Sequence, residues 1–232
     1  MPIRQVTNPL DPAIKKFGAL QRQVYFEADL LIPASVIGLM IAGPMSGRSN
    51  FLLVAEEGQE LLGGTLFHLM AKANCGFSSF MGVDRAHRGQ GLARRLHQAR
   101  FEVLDRAAGR PVNGLFIDVV APGRMSAEEL EAEHRVGSDP TQRRATFQRL
   151  GFRKVNLAYE QPVGGANGGP VTNMDLLFCP REERREVPLE WVLGTLEGYW
   201  GGWLGAGRTK RALERLRSQA EGPRVALLSA TE

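Results

Sequence analysis

The residues whose types and spacing best suit chemistry lie between positions 83 and 94. There the chain reads Val83-Asp84-Arg85-Ala86-His87-Arg88-Gly89-Gln90-Gly91-Leu92-Ala93-Arg94 and joins an apolar stretch to a segment of helical periodicity. Glycines at 89 and 91 let the backbone approach a ligand closely. The first N–H groups of a helix have no partner inside it, and the helix dipole is positive at that end. An anionic diphosphate fits such a turn, and Arg88 adds a positive charge. A P-loop would need Gly-Lys-Ser/Thr next, which is absent. A dinucleotide fingerprint would need a third glycine where Arg94 stands. Taken alone, Gly89-x-Gly91 fits a helix that begins on glycine for geometry as well as it fits an anion cradle.

A second candidate is Asp118, the one carboxylate in the apolar run Leu115-Phe-Ile-Asp-Val-Val120. Burial would raise its pKa, which suits general-base work. The alternative is an aspartate hydrogen-bonded to a neighbouring loop or arginine. His68 reads as a core or surface histidine rather than a base, and His87 as solvent-facing. Glu133-His134 is placed to line a substrate mouth. The acidic run over 128–133 is either a solvated face or an attractor for a cationic amine. Cys75 and Cys179 are far apart and have no metal-ligand spacing, so no metal is expected.

The elements that must position these residues follow from periodicity and punctuation. The chain has 232 residues, 43% apolar and 23% charged, enough to bury a core without staples. Strands are expected at 3–6, 51–57, 61–70, 74–83, 115–120, 152–163 and 174–179, and helices at 12–26, 34–42 and 90–107. Pro33 opens the second of these helices, which reads as buried. In the third, Leu92, Leu96, Ala99 and Val103 share a face, with Arg94, Arg95 and Arg100 mostly away from it. Asp139-Pro140 caps a helix that ends at Gly151. Strand, helix, strand from 77 to 120 is a crossover, so those two strands should be parallel. Residues 123–138 read as an insertion or lid, partly helical, and 164–169 as a glycine-rich loop.

With the elements in place, the 88–93 turn resembles motif A of the GNAT superfamily of N-acetyltransferases, Gln/Arg-x-x-Gly-x-Gly/Ala, through Arg88, Gly91 and Ala93. Phe147-Gln-Arg-Leu-Gly-Phe152 resembles that family's second hallmark, a helix ending in Tyr-x-x-x-Gly-Phe. The resemblance implies an α/β (α+β) fold: a mixed, mostly antiparallel twisted sheet with two splayed parallel central strands and helices on both faces. It implies acetyl-CoA as co-substrate. Met81, Gly82, Val83, Arg88, Gly89, Gln90, Gly91, Leu92, Ala93, Arg94 and Phe147 would hold it, and backbone N–H groups near 81–83 would polarise the thioester oxygen. Asp118 resembles the Glu of a Leu-Glu-Val stretch used in the family as a base. The family's tyrosine acid is Phe147 here, and Tyr159 is the stand-in.

The function implied is acetyl transfer to a primary amine by direct attack. The alternative is an acyl-CoA-binding module with little or no activity, a sensor or scaffold, which Phe147 favours. The acceptor would be a small molecule or a protein N-terminus or lysine, and a second copy of the chain is a candidate partner. A net charge of +4 without a long basic block argues against nucleic acid. The apolar stretch over 30–44 is too short to span a bilayer. Two distant cysteines suit the cytoplasm. Residues 1–182 are expected to form the acyltransferase domain. Residues 183–232, with all three tryptophans, are expected to form a C-terminal helical extension that packs on the domain or a partner.

Overall fold

The computed structural model describes residues 2–25, 31–43, 47–163 and 169–232. In chain order the elements are β1 (Ile3–Val6), α1 (Pro12–Val24), α2 (Ala34–Ala42), β2 (Ser49–Glu57), β3 (Glu60–Met70), β4 (Cys75–Val83), α3 (Leu92–Ala108) and β5 (Gly114–Val120). Then follow α4 (Ala127–Arg135), α5 (Pro140–Arg149), β6 (Arg153–Val155), β7 (Met174–Pro180), β8 (Glu186–Pro188), α6 (Leu189–Leu204), α7 (Ala206–Ser218) and β9 (Arg224–Ser229).

Capping residues set the helix starts. Asp11 accepts from the Ala13 N–H and Pro12 opens α1. Asp139 accepts from Thr141 and Gln142, with Pro140 at the first turn of α5. Ser126 and Glu129 form a reciprocal capping box, which makes much of the expected insertion a true helix, α4.

Among the described residues the strands form one nine-stranded sheet in the order β1-β2-β3-β4-β5-β7-β6-β9-β8. All neighbours are antiparallel except β4 and β5, which are parallel. Alternation along the strands sends Leu53, Phe67, Ile117 and Leu177 to one face, where α3 packs with Leu92, Leu96 and Leu104. The other face carries Leu52, Val54 and Leu66 under α1 and α2, and Phe77, Phe116 and Leu176 under α6. The expected mixed sheet with one parallel pair and helices on both faces is thus what the chain forms.

Several expectations need correction. The strand over 152–163 is limited to β6. Beyond it, Leu157 N–H donates to the Val155 carbonyl (2.8 Å) and Tyr159 N–H to the Leu157 carbonyl (2.9 Å). These two-residue bonds fold the backbone back on itself and leave no ladder. Helix α2 buries only Ile37 and Met40, and Leu39 is 71% exposed, because its apolar sequence exceeds the one side that meets the domain. Arg100 is fully buried, since it follows Leu96 by four residues on the packed face. The glycine-rich loop, Gly169 excepted, lies outside the described residues.

Residues 183–232 contribute strands as well as helices: β9 pairs with β6, and β8 with β9. Trp200 on α6 has no exposed surface. The glycines of α6 allow close approach to β3; a Cβ on Gly198 would meet the Met70 sulfur at 3.1 Å.

Candidate active site

The two parallel central strands touch only where they begin. Gly76 pairs with Leu115 and Phe77 with Phe116, after which β4 and β5 have no pairing. Against β3, the partners of Leu66 and Phe67 are Phe80 and Ser78, so Ser79 is the extra residue of a bulge. The strands therefore part at the point where β4 bends, which opens a wedge with backbone groups free along its edge.

Past the bulge, the end of β4 borders a cleft of about 800 Å³. Met81, Gly82 and Val83 form the β4 wall. The turn closes one end through Arg88, Gly89, Gly91, Leu92, Ala93 and Arg94, while Phe147 of α5 and Leu150, which caps that helix, stand opposite. Of the residues expected to hold the cofactor, Gln90 does not line this cleft and is exposed. His87 does line it, 3.1 Å from Asp84, rather than facing solvent. Gly89 and Gly91 have φ of +78° and +77°, left-handed values that favour glycine. A Cβ on either would meet nothing within 4 Å, so the space above the turn is open. Helix α3 starts at Gly91 with no side-chain cap, and its first N–H groups face that end.

Charge in the cleft is one-sided. Arg88, Arg94, Arg143 and Arg149 line it, against one carboxylate, Asp139, which caps α5. Arg88 donates to the carbonyls of Gly137 (2.6 Å) and Val83 (3.3 Å), so it ties the end of β4 to the α4–α5 link. Burial, with Arg85 and Arg143 close by, lowers its pKa. Arg143 also lies over the Tyr25 ring, 5.3 Å from its centre. Tyr25, Arg143 and Arg149 were not expected here. The spacing of Arg143 and Phe147, one helical turn apart, was the available signal. Of the pair expected at a substrate mouth, Glu133 is buried against Arg143 (2.5 Å) and only His134 is exposed.

On the face covered by α6, the structure brings Asp118 and Tyr159 together: the Tyr159 hydroxyl donates to Asp118 Oδ2 at 2.9 Å. Burial pushes the Asp118 carboxyl up to about 6, against the opposing effect of that hydrogen bond. Burial and the Asp118 charge push the Tyr159 hydroxyl up as well. Phe147 packs edge-on against Phe152 at 5.3 Å and brings no hydroxyl.

A second buried group adjoins the bulge. Ser79 Oγ is 2.6 Å from His68 Nε2 and 3.1 Å from the Tyr199 hydroxyl, and His68 Nδ1 is 2.8 Å from Asn50 Oδ1. The Tyr199 ring stacks on Phe77 at 3.8 Å. Burial and the Arg48 charge hold His68 well below the usual histidine range. From the opposite face, Arg100 donates to Ser78 Oγ (2.8 Å), so the bulge is held from both sides. Among the described residues no cluster of acidic, histidine and cysteine side chains is arranged to hold a metal, and no helix is long and apolar enough to cross a membrane.

Residues 37–130 match the model of the Acetyltransferase (GNAT) family. Similar solved structures include an aminoglycoside 6'-N-acetyltransferase complexed with coenzyme A, 14% identical over 79% of this chain and 99% of that one, with a TM-score of 0.54. The aminoglycoside 6'-N-acetyltransferase from Enterococcus faecium is 15% identical, with coverage of 79% and 99% and a TM-score of 0.51. A GNAT-family protein from Bacteroides thetaiotaomicron is 14% identical, with coverage of 79% and 89% and the same TM-score. At these identities the likeness is one of fold. No curated protein matches the chain.

Proposed function

We propose that this protein transfers an acetyl group from acetyl-CoA to a primary amine by direct attack. The observation that carries the reading is the arginine-lined, glycine-floored cleft along β4 past the point where it parts from β5, the strand that carries the buried carboxylate Asp118. The open space above Gly89 and Gly91 suits a diphosphate, and the uncapped α3 N-terminus suits its charge. Bound acetyl-CoA supplies a thioester open to attack and a thiol that leaves. Gly89, Gly91, Leu92, Ala93 and Arg94 would hold the diphosphate, with Arg88 at the cleft mouth. Met81, Gly82, Val83 and Phe147 would flank the arm.

Asp118 is the base in this reading. An amine reaches the protein as an ammonium ion and must lose a proton before it can attack. A carboxylate with a pKa near 6 is ionised at neutral pH and still basic enough to take one. Tyr159 donates to Asp118 and fixes its orientation; this is its role here, in place of acid to the leaving thiol. The acceptor is an amine of a small molecule or of a protein N-terminus or lysine. Two free, buried cysteines suit the cytoplasm as the compartment.

Two measurements test this. Calorimetric titration with coenzyme A should give a saturable heat that weakens with salt. Release of free thiol from acetyl-CoA should depend on an added amine from a panel of aminoglycosides, polyamines, amino acids and peptides. The second reading, a module that binds acyl-CoA without turnover, is favoured by the missing hydroxyl at Phe147. Binding without amine-dependent thiol release would establish it instead.

A further inference from the structure

The arginines that line the cleft are not equivalent. Arg88 is committed to the Gly137 and Val83 carbonyls. Arg143 is paired with Glu133 at 2.5 Å and donates to Ser138 Oγ as well. Asp139, the carboxylate of the cleft, accepts from the Thr141 and Gln142 N–H groups. Arg94 and Arg149 remain. They stand on opposite walls, Arg94 on α3 and Arg149 on α5, and both are exposed. Among the described residues Arg94 has no polar partner, and Arg149 donates only to the Thr146 hydroxyl, at 2.9 Å. Arg94 also sits where a cation is disfavoured. It lies in the first turn of α3, where the helix dipole and the unpartnered N–H groups call for negative charge and no acidic side chain supplies it. An anion bound there satisfies the helix end and the guanidinium together.

We propose that the Arg94 and Arg149 side chains clamp the 3'-phosphate of coenzyme A from the two walls of the cleft, and that this protein selects its acyl donor by that group. This rests on the acetyl-CoA reading above. There the diphosphate is held by the glycine turn and by backbone N–H groups at the start of α3, that of Arg94 included, so neither guanidinium is needed for it. The ribose that follows the diphosphate carries a further phosphate, a monoester with a charge of about −1.5 to −2 at neutral pH. Its terminal oxygens suit planar guanidiniums, each able to donate two parallel N–H bonds. Met81, Gly82 and Phe147, which would flank the pantetheine arm, bring no charge, so selection by charge falls on the nucleotide end. The donor class is then a thioester of free coenzyme A. An acyl group on a carrier protein hangs from phosphopantetheine, which has no 3'-phosphate for the clamp.

Calorimetric titrations compare coenzyme A with dephospho-coenzyme A, which differ only in the 3'-phosphate, on the wild type, Arg94→Gln, Arg149→Gln and the double variant. Both side chains are exposed, so thermal midpoints should be unchanged. The wild type should bind dephospho-coenzyme A about tenfold or more weakly than coenzyme A, the size expected for losing hydrogen bonds to a charged group. That preference should shrink as salt is raised. Each single substitution should weaken coenzyme A by about three- to tenfold and leave dephospho-coenzyme A within about twofold. In the double variant the preference should vanish. A wild type that binds the two ligands equally, or substitutions that weaken both alike, overturns the clamp while the acetyl-CoA reading stands. A wild type that binds neither ligand overturns that reading, and the clamp falls with it.

Discussion

Asp118 shows how one residue can be legible while its neighbours are not. A lone carboxylate in an apolar strand announces a perturbed group from sequence alone, and the structure gives it a pKa near 6 and a tyrosine donor. The sign of its pH dependence follows. As a base it works when ionised, so the rate should rise with pH through about 6 and level off above. Asp118→Asn should remove that limb and lower kcat by about 10²–10⁴-fold, with coenzyme A affinity unchanged, as read from thiol-release profiles and calorimetry. Tyr159→Phe removes a hydrogen bond that favours the ionised form, so the limb should move to higher pH. His68 was not legible in this way. Its meaning depends on Asn50, Ser79 and Tyr199, which come from three other elements, and no spacing within β3 reports them.

At the scale of the element, punctuation proved more informative than alternation. Asp11-Pro12 and Asp139-Pro140 marked helix starts because capping is local chemistry, and Ser126-x-x-Glu129 carried the same kind of signal for α4. Alternation misled over 155–159. Val155, Leu157 and Tyr159 are all buried, as in a strand, yet the backbone between them turns tightly. There the Gln219 side chain acts in place of a neighbouring strand, accepting from the Ala158 N–H (2.8 Å) and donating to its carbonyl (3.2 Å). Gln219→Ala removes both bonds from an exposed stretch where water can replace them, and should cost about 1 kcal/mol by chemical denaturation. It should also reduce turnover, since Tyr159 is adjacent. Gly91→Ala puts a side chain into a left-handed position and into the open space above the turn. The strain alone costs about 1–2 kcal/mol. Coenzyme A affinity should fall by about tenfold or more in the same titration that tests binding.

Across the whole molecule, the C-terminal residues are held by buried chemistry. Arg144, 2% exposed, donates to the Ala230 carbonyl and to Asp175, which Arg124 also binds. Asp175→Ala would leave Arg144 charged and without its carboxylate, at a cost of about 3–5 kcal/mol, visible as a lower thermal midpoint. Trp200→Ala empties a fully buried site and should cost a similar amount, about 3–5 kcal/mol. The clustering of tryptophan in residues 183–232 was visible in the sequence. Their pairing into the sheet was not, because β8 and β9 are short and join strands distant in the chain.

The place of β9 in the sheet has a consequence for how the protein is made. β8 and α6 leave the ribosome before β9, yet β8 reaches the sheet only through β9, which pairs β8 on one edge and β6 on the other. The strands and turn that line the cleft are synthesised much earlier. A growing chain can therefore assemble its cleft while α6, and Tyr199 with it, still lacks the strand that anchors its start. The cleft would mature during translation, and the seating of α6 over the sheet only once β9 has emerged and paired.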